Sequence, residues 1–470
     1  MEVPLETEVF GRLLEAREKR QDEKLKMVRS GYHLVSLQLN IPGLPKSNAA
    51  LLSFIHKVDR EFSFYLQSQN PNFKWQDKQT IHDVSGDAII YLFKHEQVDP
   101  FELKQITEAF EESFELGRVT DLDVMTSDGK PVSSGKAKQC FICKESAENC
   151  RKLKRHSIEE VRQAMLDAID LYLLKQRNNE LLNKLASFAT KGLLQEVVLT
   201  PKPGLVCRNS AGSHGDMDFI SFINSVSALS PYFIELNKYA LSFEGADVSK
   251  ALPYIRVTGL RMEEAMYQAT GGVNTHKGAV FLLSISCFAV IRVVKKIGYL
   301  KLNSFSSVIQ QLTRGMVQNE LCSVKNDAEL THGQQCFKKY GLQAAGARGE
   351  AEQGLPTVLH HAMPFLLERL KKTYALHNDA ELNELLVPVL LKIMTVNNDT
   401  NILYRHNKKV LETVKRKAHE ALLAWDCGNR QLYEEFVAWC NTNRISPGGS
   451  ADLLALTITL HHCKTEFAKK

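Results

Sequence analysis

Apolar and polar residues follow different patterns in the two halves of the chain. Near the N-terminus, Glu6–Ser30 has the period of a charged helix, and Tyr32–Asn40 then alternates apolar and polar residues as a strand does. Strand-like segments recur around Ala88–Tyr91 and over Val119–Met125. Because helix-like segments separate these strands, we expect the first half to be an α+β domain.

The pattern changes before the middle of the chain, where a long helix begins. Ser157–Glu160 matches a capping box, and apolar residues then recur every four positions over Val161–Leu173. The polar run Arg177–Glu180 indicates a boundary, so we predict two domains, residues 1–180 and 181–470. Later segments have helical periodicity between Gly- and Asn-rich loops and show no repeat, which predicts an all-α second domain.

Length and composition are those of a folded protein with more than one domain. The chain has 470 residues, 44% of them apolar and 24% charged, with a net charge of +5. This length exceeds what one core usually supports, and the small net charge is no nucleic-acid signature. The longest apolar run, Ala279–Val294, is shorter than the roughly 20 residues that span a bilayer. We therefore expect it to be a buried helix, with neither nucleic acid nor a membrane as partner.

Cysteine usage and the N-terminal residues indicate the compartment. Ten cysteines in so long a chain do not resemble a secreted disulfide framework. The acidic N-terminal residues lack the apolar core of a signal peptide. We expect a cytoplasmic protein.

Two aspartates on the last predicted strand are the main chemical signal of the first half. Asp121 and Asp123 are two residues apart, so in a strand they share one face, roughly 6.5–7 Å apart. Such a pair can hold Mg²⁺, a hard cation that prefers oxygen ligands. The same alternation also describes a solvated strand face.

A second group of metal-binding residue types follows the strand. It comprises three cysteines and one histidine, which is a complete tetrahedral set for zinc: Cys140, Cys143, Cys150 and His156. Reduced cytosolic thiols beside a basic surface are the other interpretation. Lysines and arginines crowd residues 136–155, where they form either a solvated loop or a docking face for an acidic partner or a polyphosphate.

The first half resembles the apo-citrate lyase phosphoribosyl-dephospho-CoA transferases, a family of nucleotidyltransferases. The resemblance spans roughly residues 10 to 160. It is carried by Ala16–Gln21, Pro42–Lys46, Gly117–Asp123 and the series Cys140, Cys143, Cys150 and His156.

This resemblance implies a nucleotidyltransferase-like domain that attaches a prosthetic group. It would transfer a phosphoribosyl-dephospho-CoA unit to a serine of the apo acyl carrier (gamma) subunit of citrate lyase and release pyrophosphate. Mg²⁺ held by Asp121 and Asp123 would neutralise the leaving group. Cationic side chains suit the phosphates, and the expected ligands are Arg17, Arg20, Lys46 and Arg118.

Five segments of the second half place acids or amides in loops beside apolar helices. Glycines let such loops approach a ligand closely, and helix N-termini favour phosphate. An acidic helix cap would explain one of Asp216 and Asp218, but not the whole set. Together these loops predict a site formed by Thr200–Phe219, Gly271–Gly278, Ala347–Glu352, Asn397–Asn401 and Ser446–Asp452.

These five segments resemble the triphosphoribosyl-dephospho-CoA synthases over approximately residues 185 to 465. The family uses ATP as a glycosyl donor. The 2′-hydroxyl of 3′-dephospho-CoA attacks the anomeric carbon of the ATP ribose, and adenine leaves while the triphosphate stays attached. Such a substitution passes through an oxocarbenium-like state that carboxylates stabilise, and a general base must take the hydroxyl proton.

The resemblance implies specific site residues, although the residue types do not identify the base. The expected catalytic acids are Asp216, Asp218, Glu350, Glu352, Asp399 and Asp452. Mg²⁺ and cationic side chains would bind the triphosphate, while amides orient the acids or the ligand. The expected binding residues are Lys202, Asn274, His276, Lys277, Arg348, Asn397, Asn398 and Asn401.

The leading interpretation is a bifunctional transferase that makes and then attaches the prosthetic group of citrate lyase. One alternative keeps this chemistry but serves malonate decarboxylase. Another, of a different class, is a zinc-containing interaction module fused to a non-catalytic nucleotide-binding helical domain. Release of adenine from ATP in the presence of dephospho-CoA separates the enzyme from the interaction module.

Overall fold

The computed structural model of the chain describes residues 6–29, 31–71, 73–133, 135–322, 330–371 and 378–469. It divides into two compact units, one up to Arg177 and one from Asn178 onward, here called the N-terminal and C-terminal units. The first has a small antiparallel sheet with helices, and the second is mostly helical. At this level the predicted α+β and all-α pair matches the structure.

The N-terminal unit is built on five strands: β1 (Tyr32–Leu39), β2 (Asp77–Asp83), β3 (Gly86–Lys94), β4 (Thr120–Met125) and β5 (Pro131–Val132). They pair antiparallel in the order β2-β3-β1-β4-β5. The three strands expected from alternation are β1, β3 and β4. The helices of the unit are α1 (Glu6–Val28), α2 (Ala49–Gln69), α3 (Pro100–Ser113), α4 (Ala147–Lys152) and the first part of α5 (Ile158–Val198).

The two faces of this sheet differ in polarity. One face carries Val35, Leu37 and Tyr91, which pack in a core with α2, α3 and the first part of α5. On the other face, Leu34 and Met125 pack against Val28 of α1 in a smaller cluster. Because side chains alternate along a strand, the rest of this second face carries the polar residues of β1 and β4. The candidate site of the unit lies there.

The long helix α5 begins as predicted but is not interrupted where we expected. The Ser157 hydroxyl accepts from the Glu160 N–H at 3.0 Å, and the Glu160 carboxylate accepts from the Ser157 N–H at 2.7 Å. The polar run Arg177–Glu180 stays helical, since α5 continues to Val198. Polar side chains on an exposed helix face do not break its backbone hydrogen bonds, so this run does not end the helix.

After α5 the C-terminal unit consists of helices joined by irregular loops. They are α6 (Phe219–Ser242), α7 (Leu252–Ala269), α8 (Lys277–Ile297), α9 (Leu302–Thr313), α10 (His332–Tyr340), α11 (Gly346–Glu352), α12 (Met363–Leu370), α13 (Asp379–Val396), α14 (Thr400–Arg405), α15 (Lys408–Asp426), α16 (Gln431–Thr442) and α17 (Gly448–Glu466). Short 3₁₀ and π-helical turns connect several of them.

Helix α8 is the centre of this unit. It packs against α6, α7, α9 and α17, and its apolar residues belong to the main core cluster. Helices α6 and α8 are long and apolar enough to cross a membrane by length and composition alone. Most of the apolar window of α8 is buried inside the unit (72%), as in the core helix of a folded domain.

Candidate active sites

All five predicted segments of the C-terminal unit line one cavity of about 680 Å³. The segments immediately precede or begin helices α6, α8, α11, α14 and α17, so several helix N-termini surround the same space. The exposed N–H groups at a helix start favour anions. The predicted residues that line the cavity are Lys202, Asp216, Asn274, His276, Lys277, Arg348, Glu350, Asn397, Asn398, Asp399, Asn401 and Asp452.

Asp452, near the start of α17, is a half-buried acid in the wall of this cavity. Burial, followed by the charges of Asp399 and Glu196, raises its pKa well above the ordinary value. The N–H of Ala279 donates to its carboxylate. A Cβ at Gly278 would lie 2.0 Å from one carboxylate oxygen, so the acid rests directly on the glycine backbone of α8.

Asp399 is buried, and its oxygens are already occupied by donors. One oxygen accepts from the Asn401 N–H at 3.0 Å, and Asp399 caps α14 in this way. The other accepts from the N–H and the hydroxyl of Ser450 at 2.8 and 3.0 Å. Burial raises the pKa of Asp399, although these donors oppose the rise. Asp399 therefore fixes the starts of two helices at the cavity.

The predicted cations of the cavity are all paired with acids. Lys202 is buried and forms an ion pair with Glu196, with side chains only 1% and 5% exposed. Such a buried pair is costly to break, which argues against Lys202 as a phosphate ligand. Lys277 pairs with Glu263 at 2.8 Å and Arg348 with Glu320 at 2.7 Å, and these more exposed pairs are weak enough to exchange for a ligand.

Arg405 is a cavity residue that the sequence analysis did not include. It is exposed, lines the cavity, and lies close enough to His214 for its charge to help lower the pKa of that imidazole. Arg405 follows Asn401 by four residues, a helical spacing that places both on one side of α14. That spacing could have identified it.

Two histidines contribute nitrogen atoms to the cavity wall. His276 is buried, and its Nδ1 lies 2.7 Å from the Ser225 hydroxyl. Its Nε2 has no partner among the described residues, and burial lowers its pKa to about 3, so the ring is neutral. His214, not singled out from the sequence, lies 2.8 Å from the Ser446 hydroxyl through Nε2. Burial lowers its pKa as well.

Three predicted acids have structural partners. Asp218 caps α6 by accepting from the Ser221 N–H at 2.8 Å and does not line the cavity. Glu352 also lies outside the lining and accepts from the N–H groups of Gly315 and Val317. Glu350 reaches the cavity, yet its two oxygens bind the N–H and hydroxyl of Thr357 at 2.7 and 3.0 Å. The catalytic roles expected of Asp218 and Glu352 do not fit these positions.

In the N-terminal unit, the predicted aspartate pair lies on the polar face of the sheet. Asp121 and Asp123 of β4 stand opposite Gln38 and Ser36 of β1. Asp121 forms an ion pair with Lys138. The Asp123 side chain reaches solvent. Even so, partial desolvation of its carboxylate by the surrounding protein, followed by the charge of Asp121, raises its pKa. Carboxylates that share a face and repel one another in this way fit a divalent cation.

Arg20, a predicted phosphate ligand, is instead a fully bonded buried residue. Its guanidinium binds the Asp83 carboxylate at 2.6 and 3.0 Å, the Gln38 amide oxygen at 2.9 Å and the Gly86 carbonyl. These contacts hold α1 against the sheet. One turn further along α1, Lys24 is another cation near the aspartates, and burial lowers its pKa. Lys24 was not identified from the sequence.

The other predicted phosphate ligands lie in two places. Lys46 lines a second cavity with Arg12 and Asp83, and its ammonium donates to the Ile41 carbonyl. Burial is the main cause that lowers the pKa of Lys46. The exposed Arg17 lies near enough for its charge to contribute to the same shift. Arg118 donates to the Gln139 carbonyl and is close to Asp121. The structure therefore places Arg118 close to Asp121, whereas the guanidinium of Arg20 is fully engaged by Asp83, Gln38 and Gly86.

Residues 140–156 bring the predicted metal ligands together. The thiols of Cys140, Cys143 and Cys150 and a ring nitrogen of His156 all lie within 4.8 Å of one another. We call these four residues the Cys₃His cluster.

Comparison with known proteins assigns both units. A family model described as ATP:dephospho-CoA triphosphoribosyl transferase (CitG) matches residues 182–470, and one described as apo-citrate lyase phosphoribosyl-dephospho-CoA transferase (CitX) matches residues 9–172. A relative named Protein CitXG, from Leuconostoc mesenteroides subsp. cremoris, is 32% identical over 454 residues, 91% of each chain. The chain belongs to the CitXG family. The family resemblances of both halves are thereby confirmed.

Other relatives agree with this assignment. Protein CitXG of Haemophilus influenzae is 29% identical over 95% of this chain and 94% of its own length. A 2-(5''-triphosphoribosyl)-3'-dephosphocoenzyme-A synthase of Haemophilus ducreyi is 34% identical and aligns with 67% of this chain and 98% of its own length. The chain is thus a transferase with a synthase activity in the CitG region and a prosthetic-group transferase activity in the CitX region. The non-catalytic interaction module is excluded.

Proposed function

We propose that Asp452 is the general base of the CitG reaction and that the five-segment cavity binds ATP and 3′-dephospho-CoA. The observation that carries this proposal is the Asp452 carboxylate, which lines the cavity, rests against the Gly278 backbone and has a raised pKa. Asp399 and Glu350 are engaged by several donors each, which lowers their capacity to accept a proton. A raised pKa makes the Asp452 carboxylate a stronger proton acceptor than an ordinary aspartate.

In the proposed reaction, the 2′-hydroxyl oxygen of dephospho-CoA forms a bond to the anomeric carbon of the ATP ribose. The bond between this carbon and adenine breaks, and its electron pair leaves with adenine. The hydroxyl proton passes to Asp452, which then loses it to solvent, while the departing adenine nitrogen takes up a proton from solvent. The negative charge of Asp399, and that of Asp452 before it accepts the proton, stabilise the positive charge that develops on the ribose. The neutral His276 nitrogen binds a polar group of the substrate, since a buried nitrogen otherwise stays unpaired.

The triphosphate is expected at the helix starts of α8 and α17 and at the exposed cations. Arg405, together with Arg348 and Lys277, meets the phosphates, and the exchangeable partners Glu320 and Glu263 are displaced. Mg²⁺ bound by the phosphates and cavity carboxylates would supply further charge neutralisation. His332 and Tyr404 stack with ring centres 3.8 Å apart at the cavity wall, a surface on which a purine can stack.

For the CitX region, we propose that the polar face of the sheet positions the triphosphoribosyl group for attack by the carrier serine. The serine oxygen forms a bond to the phosphorus nearest the ribose and loses its proton to solvent, and the bond from that phosphorus to pyrophosphate breaks. Lys24, Lys138 and Arg118 stand around the aspartates and neutralise phosphate charge. Mg²⁺ at Asp121 and Asp123 would stabilise the leaving pyrophosphate when bound.

Two assays on the full chain test these proposals separately. Chromatography of reactions with ATP and dephospho-CoA measures adenine release, and the mass of an apo carrier incubated with the triphosphoribosyl product measures attachment. We expect adenine release without any carrier present, and a citrate lyase carrier to gain the mass of one phosphoribosyl-dephospho-CoA group. A chain that releases no adenine contradicts the CitG proposal. Preference for a malonate decarboxylase carrier would reassign the partner.

A further inference from the structure

The Cys₃His cluster has the composition and the closeness of a metal site. Zinc bound tetrahedrally at bond lengths of about 2.0–2.3 Å holds its ligand atoms roughly 3.3–3.8 Å apart. The four ligand atoms here lie within 4.8 Å of one another, and the Cys143 and Cys150 sulfurs are 3.2 Å apart. A small adjustment would bring all four onto one ion.

An unpaired histidine nitrogen is a separate indication. The Nε2 atom of His156 is buried and has no hydrogen-bond partner among the described residues. Buried polar atoms are almost always paired, so such a nitrogen requires an explanation. A metal ion bound between this imidazole and the three thiols supplies the missing partner.

The surrounding segment has little else to stabilise it. Between residues 135 and 157, the two buried residues are Cys140 and Cys150, while Ile142 and Leu153 are exposed. The turn after Cys140 is tight, because the Lys144 N–H donates to the Cys140 carbonyl at 3.2 Å and Lys144 has φ +58°. Short segments without an apolar core usually depend on a metal or a disulfide.

The basic residues around the Cys₃His cluster favour a bound metal ion. Three thiolates and one Zn²⁺ carry a net charge of −1, and the segment around them is rich in lysine and arginine: Lys136, Lys138, Lys144, Arg151, Lys152, Lys154 and Arg155. Cationic neighbours stabilise thiolates, which are the metal-binding form. A Cys143–Cys150 disulfide would instead leave Cys140 and the His156 nitrogen without a role.

We propose that the Cys₃His cluster binds one structural zinc ion. The bound ion fixes the loop that precedes it, and this loop reaches the candidate site of the CitX region. Lys138 in that loop pairs with Asp121, and the Gln139 carbonyl accepts from Arg118. The zinc site is thus a positioning element for two cations beside the aspartate pair, and it does not contact the reacting atoms.

Metal analysis of the full, untagged chain, purified without chelators from zinc-supplemented cells, tests this proposal. We expect about one zinc per chain, retained in the Cys427→Ser control, whose thiol is exposed in the C-terminal unit. Cys143→Ser and Cys150→Ser should each lower the zinc content below about a tenth of that value. Zinc-free wild-type chain with a Cys143–Cys150 disulfide in non-reducing peptide maps would overturn the proposal, as would unchanged zinc content in both variants.

Hydrogen exchange of the wild-type chain tests the structural role without relying on a variant that folds. Removing zinc should abolish amide protection in residues 136–156 and leave that of strands β1 and β3 in place. Unchanged protection of residues 136–156 in the metal-free chain would show that the ion does not hold this loop and would overturn the structural role.

Discussion

The two catalytic regions place their acids in opposite environments. In the CitG region, a buried Asp399 and a half-buried Asp452 line a cavity formed by helix starts. In the CitX region, Asp121 and Asp123 lie on an open sheet face beside lysines. This difference suits the two acceptor groups, the 2′-hydroxyl of a small molecule in the CitG region and a serine of a carrier protein in the CitX region. A glycosyl transfer with a positively charged transition state must exclude water, whereas a serine on a folded carrier protein needs an accessible surface.

The largest expected effect comes from Asp452, the proposed base of the CitG reaction. Asp452→Asn should lower adenine release by about 10²–10⁴-fold, because the amide cannot take the hydroxyl proton. Attachment of preformed triphosphoribosyl-dephospho-CoA to the carrier should stay at the wild-type rate. The matched control is Asp247→Asn, an exposed cap where asparagine serves equally. Wild-type adenine release by Asp452→Asn would show that another group is the base.

The corresponding change on the open face should have a smaller effect. We expect Asp121→Asn to lower carrier attachment by roughly 10²-fold while adenine release continues, because Asp123 and the nearby lysines remain. Mass spectrometry of the carrier and chromatography of adenine measure both activities in one preparation. Asp77→Asn, on an exposed edge strand, is the control. Loss of both activities from Asp121→Asn in folded protein would contradict two independent sites.

Removing one phosphate contact at the cavity mouth should have a smaller effect than either aspartate change. Arg405→Gln should raise the KM for ATP about 10-fold, near 1.4 kcal/mol, with little change in kcat. Arg416→Gln, which removes an exposed arginine from an i,i+4 pair on α15, is the control. A fall in kcat at unchanged KM would mean that Arg405 acts on the reacting atoms instead.

The smallest expected effect concerns stability and its pH dependence. Since the pKa of Asp452 is raised in the folded chain, the folded state binds more protons than the unfolded state, and the free energy of unfolding falls as pH rises. Asp452→Asn removes this cost, so its Tm should exceed the wild-type value by roughly 2–4 °C at neutral pH. Far-UV circular dichroism from pH 5 to 8 measures this difference. A constant or shrinking difference across that range would contradict the burial argument.

The sequence predicted local features well. Strands β1, β3 and β4, the capped start of α5 and the convergence of five loops follow from periodicity and from glycine, amide and acid residues at helix starts. It did not predict which acidic partner each basic side chain pairs with. Lys202 pairs with Glu196 and Arg20 with Asp83, contacts that depend on tertiary packing, which residue type and spacing do not encode.

The aspartates show the same limit. Asp216 and Asp218 are equivalent in the sequence pattern. Asp218 turns back to cap α6, while Asp216 lines the cavity with a 62% exposed side chain. Which acid becomes a cap is decided by the position of the nearest free N–H groups, so assignment of the site acids requires the three-dimensional loop path.

The contact between Asp452 and Gly278 bears on how this enzyme can diverge over time. A methyl group at position 278 would occupy the place of a carboxylate oxygen, so Gly278→Ala would displace the acid while leaving the fold of α8 intact. Position 278 contributes no functional group to the reaction. With Asp452 as the proposed base, a variant that changed only this glycine is expected to keep its helices and lose adenine release.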